Sequence, residues 1–141
     1  MSQLSRFLKT NKKAKENTVF VATRFLTDEN GNPLEWVIKP ITTKENDEIR
    51  DSCMMEIPEK NNGYRTKLDF TKYRAKVLCA SVAEPNLEST ELQASYGVTR
   101  PEDLIREMID DPGEYDNFFE FVSKFNGFNK NADEEIEEAK N

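Results

Sequence analysis

The hydrophobic pattern along the chain changes period near its first third. In "TVFVATRFLTDENGNPLEWVIKPIT", Val19, Phe20, Val21, Arg24 and Phe25 make a β-branched and aromatic run suited to a strand. Leu34, Trp36 and Ile38 then alternate with Glu35, Val37 and Lys39, the period of a half-buried strand. Between them lies "DENGNP", rich in residues that tolerate positive φ. The pattern predicts an antiparallel hairpin, with Pro40 making the second strand an edge at that end because proline lacks a ladder donor.

After Thr43 the period becomes helical. Thr42 or Thr43 can cap "TKENDEIRDSCMME", with Ile49, Cys53 and Met54 as a narrow apolar stripe. "IPEKNNGYRTKLD" is a connection containing a short extended piece at Tyr64–Leu68. Asp69 caps a helix whose face is Phe70, Tyr73, Val77, Leu78 and Val82, ended by "EPN". Ser89 opens the next helix and Gly97 stops it. Thr99-x-x-Glu102, with Pro101, reads as a capping box before Leu104, Ile105, Met108 and Ile109. Asp111-Pro112-Gly113-Glu114 repeats that device before Tyr115, Phe118, Phe119, Phe121, Val122 and Phe125. Asn126-Gly127 closes the helix. Leu4, Phe7 and Leu8 have helical spacing and predict a short anchored helix at the N-terminus.

The expected architecture is therefore α+β. A polar segment at 1–17 leads into a single domain at 18–130, and an acidic tail at 131–141 follows. In the domain an N-terminal antiparallel β-hairpin packs on a mainly helical C-terminal half, and Trp36 is expected to be buried against the helix running from Phe70 to Val82.

Composition narrows the chemistry. Of 141 residues, 36% are hydrophobic and 33% charged, and the net charge of −7 disfavours a phosphate backbone as partner. No apolar run approaches the roughly 20 residues needed to span a bilayer, and "MSQLSRFLKTNKKAK" lacks the apolar stretch of a secretion signal. Neither nucleic acid nor membrane is expected as a partner, and Cys53 and Cys79 are expected to be reduced thiols in a cytoplasm.

The chain has no histidine, which removes the commonest general base and the triads built on it. Asp28, Asn30 and Asn32 have the spacing of a calcium loop. However, Pro33 and Lys39 stand where that loop needs glycine and glutamate. The sequence therefore predicts no catalytic, metal or cofactor site. The densest apolar feature is "YDNFFEFVSKF", in which Phe118, Val122 and Phe125 share a face and Phe121 widens the apolar arc. Core packing accounts for one such face, and a partner groove is the alternative use of the surplus.

The segment "VFVATRFLTDENGNPLEWVIKPIT" resembles the signature hairpin of the XkdN-like phage tail assembly chaperones. So do "EPNLESTELQASYGV", "PGEYDNFFEFVSKFNGF" and the closing "EEAKN", in the same order along the chain. The resemblance implies a non-enzymatic, non-structural phage or prophage protein of a Gram-positive host. Such a protein would bind the tape-measure protein and hold it soluble in the host cytoplasm while tail-tube subunits assemble. The tail-tube protein would be a further partner, and the mature particle would lack the chaperone. The alternative is a structural completion or connector subunit retained in the particle. Tyr96, Phe118, Phe121 and Phe125 are the expected partner anchors, since aromatics that fill pockets carry much of an interface's energy. The resemblance also implies a longer form of the protein made by −1 frameshifting, because Ala139-Lys140-Asn141 can be encoded as the slippery heptamer A-AAA-AAC. The alternative there is an ordinary acidic helix end, and the gene sequence decides between the two.

Overall fold

The computed structural model describes residues 3–128. The 131–141 tail, and with it the frameshift expectation, lies outside the described residues. Strand β1 (Thr18–Phe20) pairs antiparallel with β2 (Trp36–Ile38), setting Thr18 opposite Ile38 and Phe20 opposite Trp36. Helix α1 (Thr43–Ser52) leads into a separate hairpin of β3 (Met54–Pro58) and β4 (Tyr64–Leu68). Helix α2 (Phe70–Ser81) runs directly into β5 (Val82–Glu84). Helices α3 (Thr90–Ser95), α4 (Pro101–Met108) and α5 (Pro112–Phe125) complete the fold, which is α+β.

β5 pairs with β2, so the sheet order is β1-β2-β5. This corrects the edge assignment. β2 is the central strand, and Pro40 sits beyond its last residue, where it interrupts no ladder bond.

The core lies between this sheet and the helices. Helix α2 packs against α1, α4 and α5 and buries Tyr73, Ala75, Val77, Leu78 and Ser81. Helix α4 contributes Leu104, Ile105 and Met108, and α5 contributes Tyr115, Phe118 and Val122 at helical spacing. Trp36 and Phe118 are fully buried and meet edge to face, with centroids 5.8 Å apart at 80°. Trp36 is thus buried, as expected, but its aromatic partner lies on α5 and not on the helix from Phe70 to Val82, against which burial is expected from the sequence.

Thr42 accepts from the Glu45 N–H while Glu45 reaches back to the Thr42 N–H, a complete capping box. Asp69, Ser89 and Asp111 cap α2, α3 and α5 through their side chains. The capping box expected from Thr99 does not form. Pro101 occupies the first helical position, so Arg100 is the N-cap and Thr99 lies one residue too early. Arg100 makes no side-chain cap bond and pairs with Asp103 instead.

At α5 the box is completed only by half. Asp111 accepts from the Glu114 N–H at 3.1 Å, but the Glu114 carboxylate turns to the hairpin. It accepts from the Thr23 hydroxyl and the Arg24 N–H, each at 2.8 Å. This explains why β1 stops at Phe20, short of the run to Phe25 that the sequence suggests. Beyond the strand, Ala22 and Thr23 turn inward, and the backbone is satisfied by a carboxylate rather than by a ladder.

Two strands are absent from the sequence reading. Met54 and Cys53 were expected to continue α1, but the helix ends at Ser52 and Met54 opens β3. In the β3–β4 hairpin only Ile57 and Leu68 are half-buried, so there is no apolar alternation to read. β5 is hidden because Val82 continues the apolar face of α2 in sequence. At the N-terminus two short 3-10 turns, Leu4–Phe7 and Lys9–Asn11, replace the expected helix. Leu4, Phe7 and Leu8 anchor nothing among the described residues, being 73%, 84% and 51% exposed. Asp28 accepts from the Asn30 and Asn32 N–H groups with Gly31 at positive φ, so this stretch is a turn.

Two outcomes follow for stability. Phe118→Ala should cost about 3–5 kcal/mol by leaving a cavity against Trp36, measured as a shift in urea midpoint. Glu114→Ala should cost about 1–3 kcal/mol, with Glu114→Gln losing less because its amide oxygen still accepts one bond. A Glu114→Ala protein as stable as the parent would show that the hairpin does not depend on this carboxylate.

Candidate partner-binding surface

The four aromatics expected as anchors fall into three environments. Phe118 is fully buried, so in this fold it serves the core. Phe121 and Phe125 are half-buried and stack with Phe20 along one side of α5, with centroids 4.2 Å apart for Phe20–Phe121 and 6.3 Å for Phe121–Phe125. The Lys15 ammonium lies 4.3 Å from the Phe125 ring centre and donates to the Phe125 carbonyl, tying the N-terminal segment to the end of α5. Cations favour that helix end because the last carbonyls lack partners.

Tyr96, also half-buried, belongs elsewhere. It lines an apolar groove of about 330 Å³ with Leu26, Leu34, Trp36, Pro85, Leu92 and Met108. Glu35 and Glu84, both exposed, are the acidic groups of its wall. Phe118 bridges the two features, touching Trp36 of the groove and stacking 5.6 Å from Phe20 of the aromatic row.

The groove assembles residues far apart in sequence. Leu26 and Leu34 come from the loop joining β1 and β2, where the Leu34 N–H donates to the Leu26 carbonyl at 2.8 Å. Glu84 ends β5, and Tyr96 caps the C-terminal end of α3, followed by Gly97 at φ +71°. Glycine takes that left-handed conformation without strain. Sequence reasoning found Tyr96 but not Leu26, Pro85, Leu92 or Met108. The only signal was the alternation of Leu34 with Trp36, which reads equally well as core. Leu34 is 42% exposed, at the mouth.

No group of three or more Cys, Asp or Glu residues among the described ones could hold a metal. Burial, with Glu102 and Glu88 adding to it, pushes the Cys79 thiol up to about 12. Cys53 is buried, and both cysteines are free. Neither thiol sits in the electropositive, accessible surroundings of a nucleophile. The two apolar features of this surface are thus a groove and an aromatic row.

The fold is α+β, and the chain is similar in sequence to phage-derived tail assembly proteins. The Phage XkdN-like tail assembly chaperone protein family matches residues 4–140, and this chain belongs to it. Over 128 residues it is 30% identical to phage-like element PBSX protein XkdN of Bacillus subtilis (strain 168), covering 91% of this chain and 86% of that protein. It is 28% identical to YqbN of the same strain, covering 91% of this chain and 85% of YqbN. The crystal structure of the protein YqbN shares the fold, with a TM-score of 0.75 at 22% identity over 92% of this chain and 99% of that one. The family suggests a non-enzymatic role.

The thiol geometry sets an expectation for reactivity. Since the thiolate is the reactive form, Cys79 should alkylate at pH 8 at least ~10-fold more slowly in the folded protein than in urea. Mass mapping of iodoacetamide adducts checks this, and equal rates would contradict the burial of Cys79.

Proposed function

We propose that this chain binds the tape-measure protein and keeps it soluble in the host cytoplasm while the tail assembles, without catalysing a reaction. The observation that carries the reading is the apolar groove around Trp36 and Tyr96, open on a protein of the tail assembly chaperone family. A long helical client offers rows of apolar side chains, and a groove of this kind takes such anchors from a helix face. The aromatic row of Phe20, Phe121 and Phe125, joined to the groove through Phe118, offers a second contact. The net charge of −7 favours encounter with basic stretches of a client. Tail-tube subunits would then polymerise around the client, and the chaperone would leave before the particle is complete.

Co-expression with the neighbouring tape-measure gene, followed by co-purification, tests the reading. The two proteins should purify together, and Tyr96→Asp should weaken the complex roughly 30-fold with the melting curve little changed. Phe121→Asp should weaken it less, because that ring is already engaged by Phe20. Mass spectrometry of purified particles should not find the chain. Its stoichiometric presence there would favour a structural tail subunit instead.

A further inference from the structure

The residues before β1 and those after α5 leave the fold at one place. Helix α5 closes in a turn where the Phe128 N–H donates to the Ser123 carbonyl at 2.9 Å and Gly127 takes φ +76°. Phe128 packs against the core, so the residues after it set out from this helix end. Lys15 meets the same end, its ammonium over the Phe125 ring and donating to the Phe125 carbonyl. The segment before Lys15 and the segment after Phe128 thus share a root, and their chemistries are opposite. In the first, Arg6, Lys9, Lys12 and Lys13 form no ion pair with a described residue. Leu4, Phe7 and Leu8 stand in solvent among these cations. Two 3-10 turns and the Asn11 amide, which donates to the Ser5 carbonyl, hold the segment in shape. In the second, Asp133, Glu134, Glu135, Glu137 and Glu138 surround Ile136 in sequence.

We propose that the acidic residues 131–141 dock on the Leu4–Lys13 segment of the same chain. The carboxylates meet Arg6, Lys9, Lys12 and Lys13, and Ile136 lies against Phe7 and Leu8. The lengths match. Residues 4–13 occupy roughly 20 Å at the rise of a 3-10 helix, and residues 129–141 cover roughly 20 Å at the rise of an α-helix and more when extended. On a chain of net charge −7 the rest of the surface offers an acidic segment little attraction. Each exposed charge contact contributes little by itself. Between separate chains at micromolar protein a contact of about 1 mM stays empty, whereas a short linker within one chain gives a millimolar effective concentration and the same contact forms. The docked tail covers Phe7 and Leu8 and neutralises the cations beside them, so the N-terminal segment opens to an outside partner only when the tail is displaced. No client takes part, and failure of this contact would leave the tape-measure reading untouched.

Carbodiimide coupling, which joins a lysine amine to a carboxylate in contact with it, tests this on an equal mixture of nitrogen-15-labelled and unlabelled full chain. Mass mapping should find Lys9, Lys12 or Lys13 joined to the carboxylates between Asp133 and Glu138, within chains of a single isotope. The yield should fall roughly 3-fold or more between about 50 mM and about 500 mM salt, as screening removes the charge contacts. Phe7→Asp lies in an exposed turn and keeps every lysine, yet it should lower the yield roughly 3-fold by removing the apolar anchor and adding a like charge. Glu134→Lys/Glu135→Lys/Glu137→Lys should abolish coupling between the two segments, and adding Arg6→Glu/Lys9→Glu/Lys12→Glu should restore it. Absence of coupling between the segments overturns the proposal, as does coupling that neither salt nor Phe7→Asp changes. Products joining the two isotopes would move the tail to a second copy, and products at Lys39 or Lys76 would move it elsewhere on the fold; either result also overturns it.

Discussion

The contact between Trp36 and Phe118 holds the two halves of this protein together. One ring comes from the central strand of a three-stranded sheet, the other from the longest helix, and both are fully buried. A short sheet of this kind, with three-residue strands at all three positions, has too few ladder bonds to stand alone. It exists because its inner face lies on a helical layer. Phe118 provides the seat, touching Trp36 on one side and Phe20 on the other. Around that seat the Glu114 carboxylate fixes the loop after β1, and the Asn126 amide oxygen accepts from the Ile41 N–H beyond β2. Both ends of α5 therefore reach across to the hairpin.

The same arrangement creates the surface features. Once Trp36 is held edge to face against Phe118, the loop before β2 folds over it through the Leu34–Leu26 bond, and α3 approaches from the other side. The result is a cleft rather than a closed core. α3 is a helix of six residues ended by a glycine turn, so its aromatic end stands beside the cleft without filling it. The cleft is then a matter of incomplete packing beside the sheet. A chain with 36% hydrophobic residues closes one small core and leaves several large apolar side chains outside it.

The elements differ in how they hold their ends. Four helices begin with a side chain that accepts from the helix's own N–H groups. The exception, α4, begins at a proline and depends on packing, burying Leu104, Ile105 and Met108 against the rest of the fold. The β3–β4 hairpin is the reverse case, with complete strand pairing and almost no buried face. It projects from the junction of α1 and α2, where the Asp69 N–H donates to the Cys53 carbonyl and fixes its base. Its Met54, Met55 and Tyr64 remain exposed, adding to the apolar surface outside the core.

Local chemistry made much of this fold legible. Helices α2, α3 and α5 could be placed because caps, glycine stops and helical spacing are set within a few residues of each other. Trp36 could be assigned to the interior from alternation alone, and the family from the order of its segments. Other features required the folded chain. Nothing in "ASVAEP" marks β5, because a three-residue strand is defined by what it pairs with, and its partner β2 lies more than forty residues upstream. Glu114 reads as half of a capping box, and only the approach of Thr23 diverts its carboxylate. Phe118, Phe121 and Tyr96 look alike as aromatics in sequence. Tertiary packing put the first in the core, the second in a stacked row and the third in a groove, because burial depends on which surfaces meet across the fold, and a linear pattern does not carry that information.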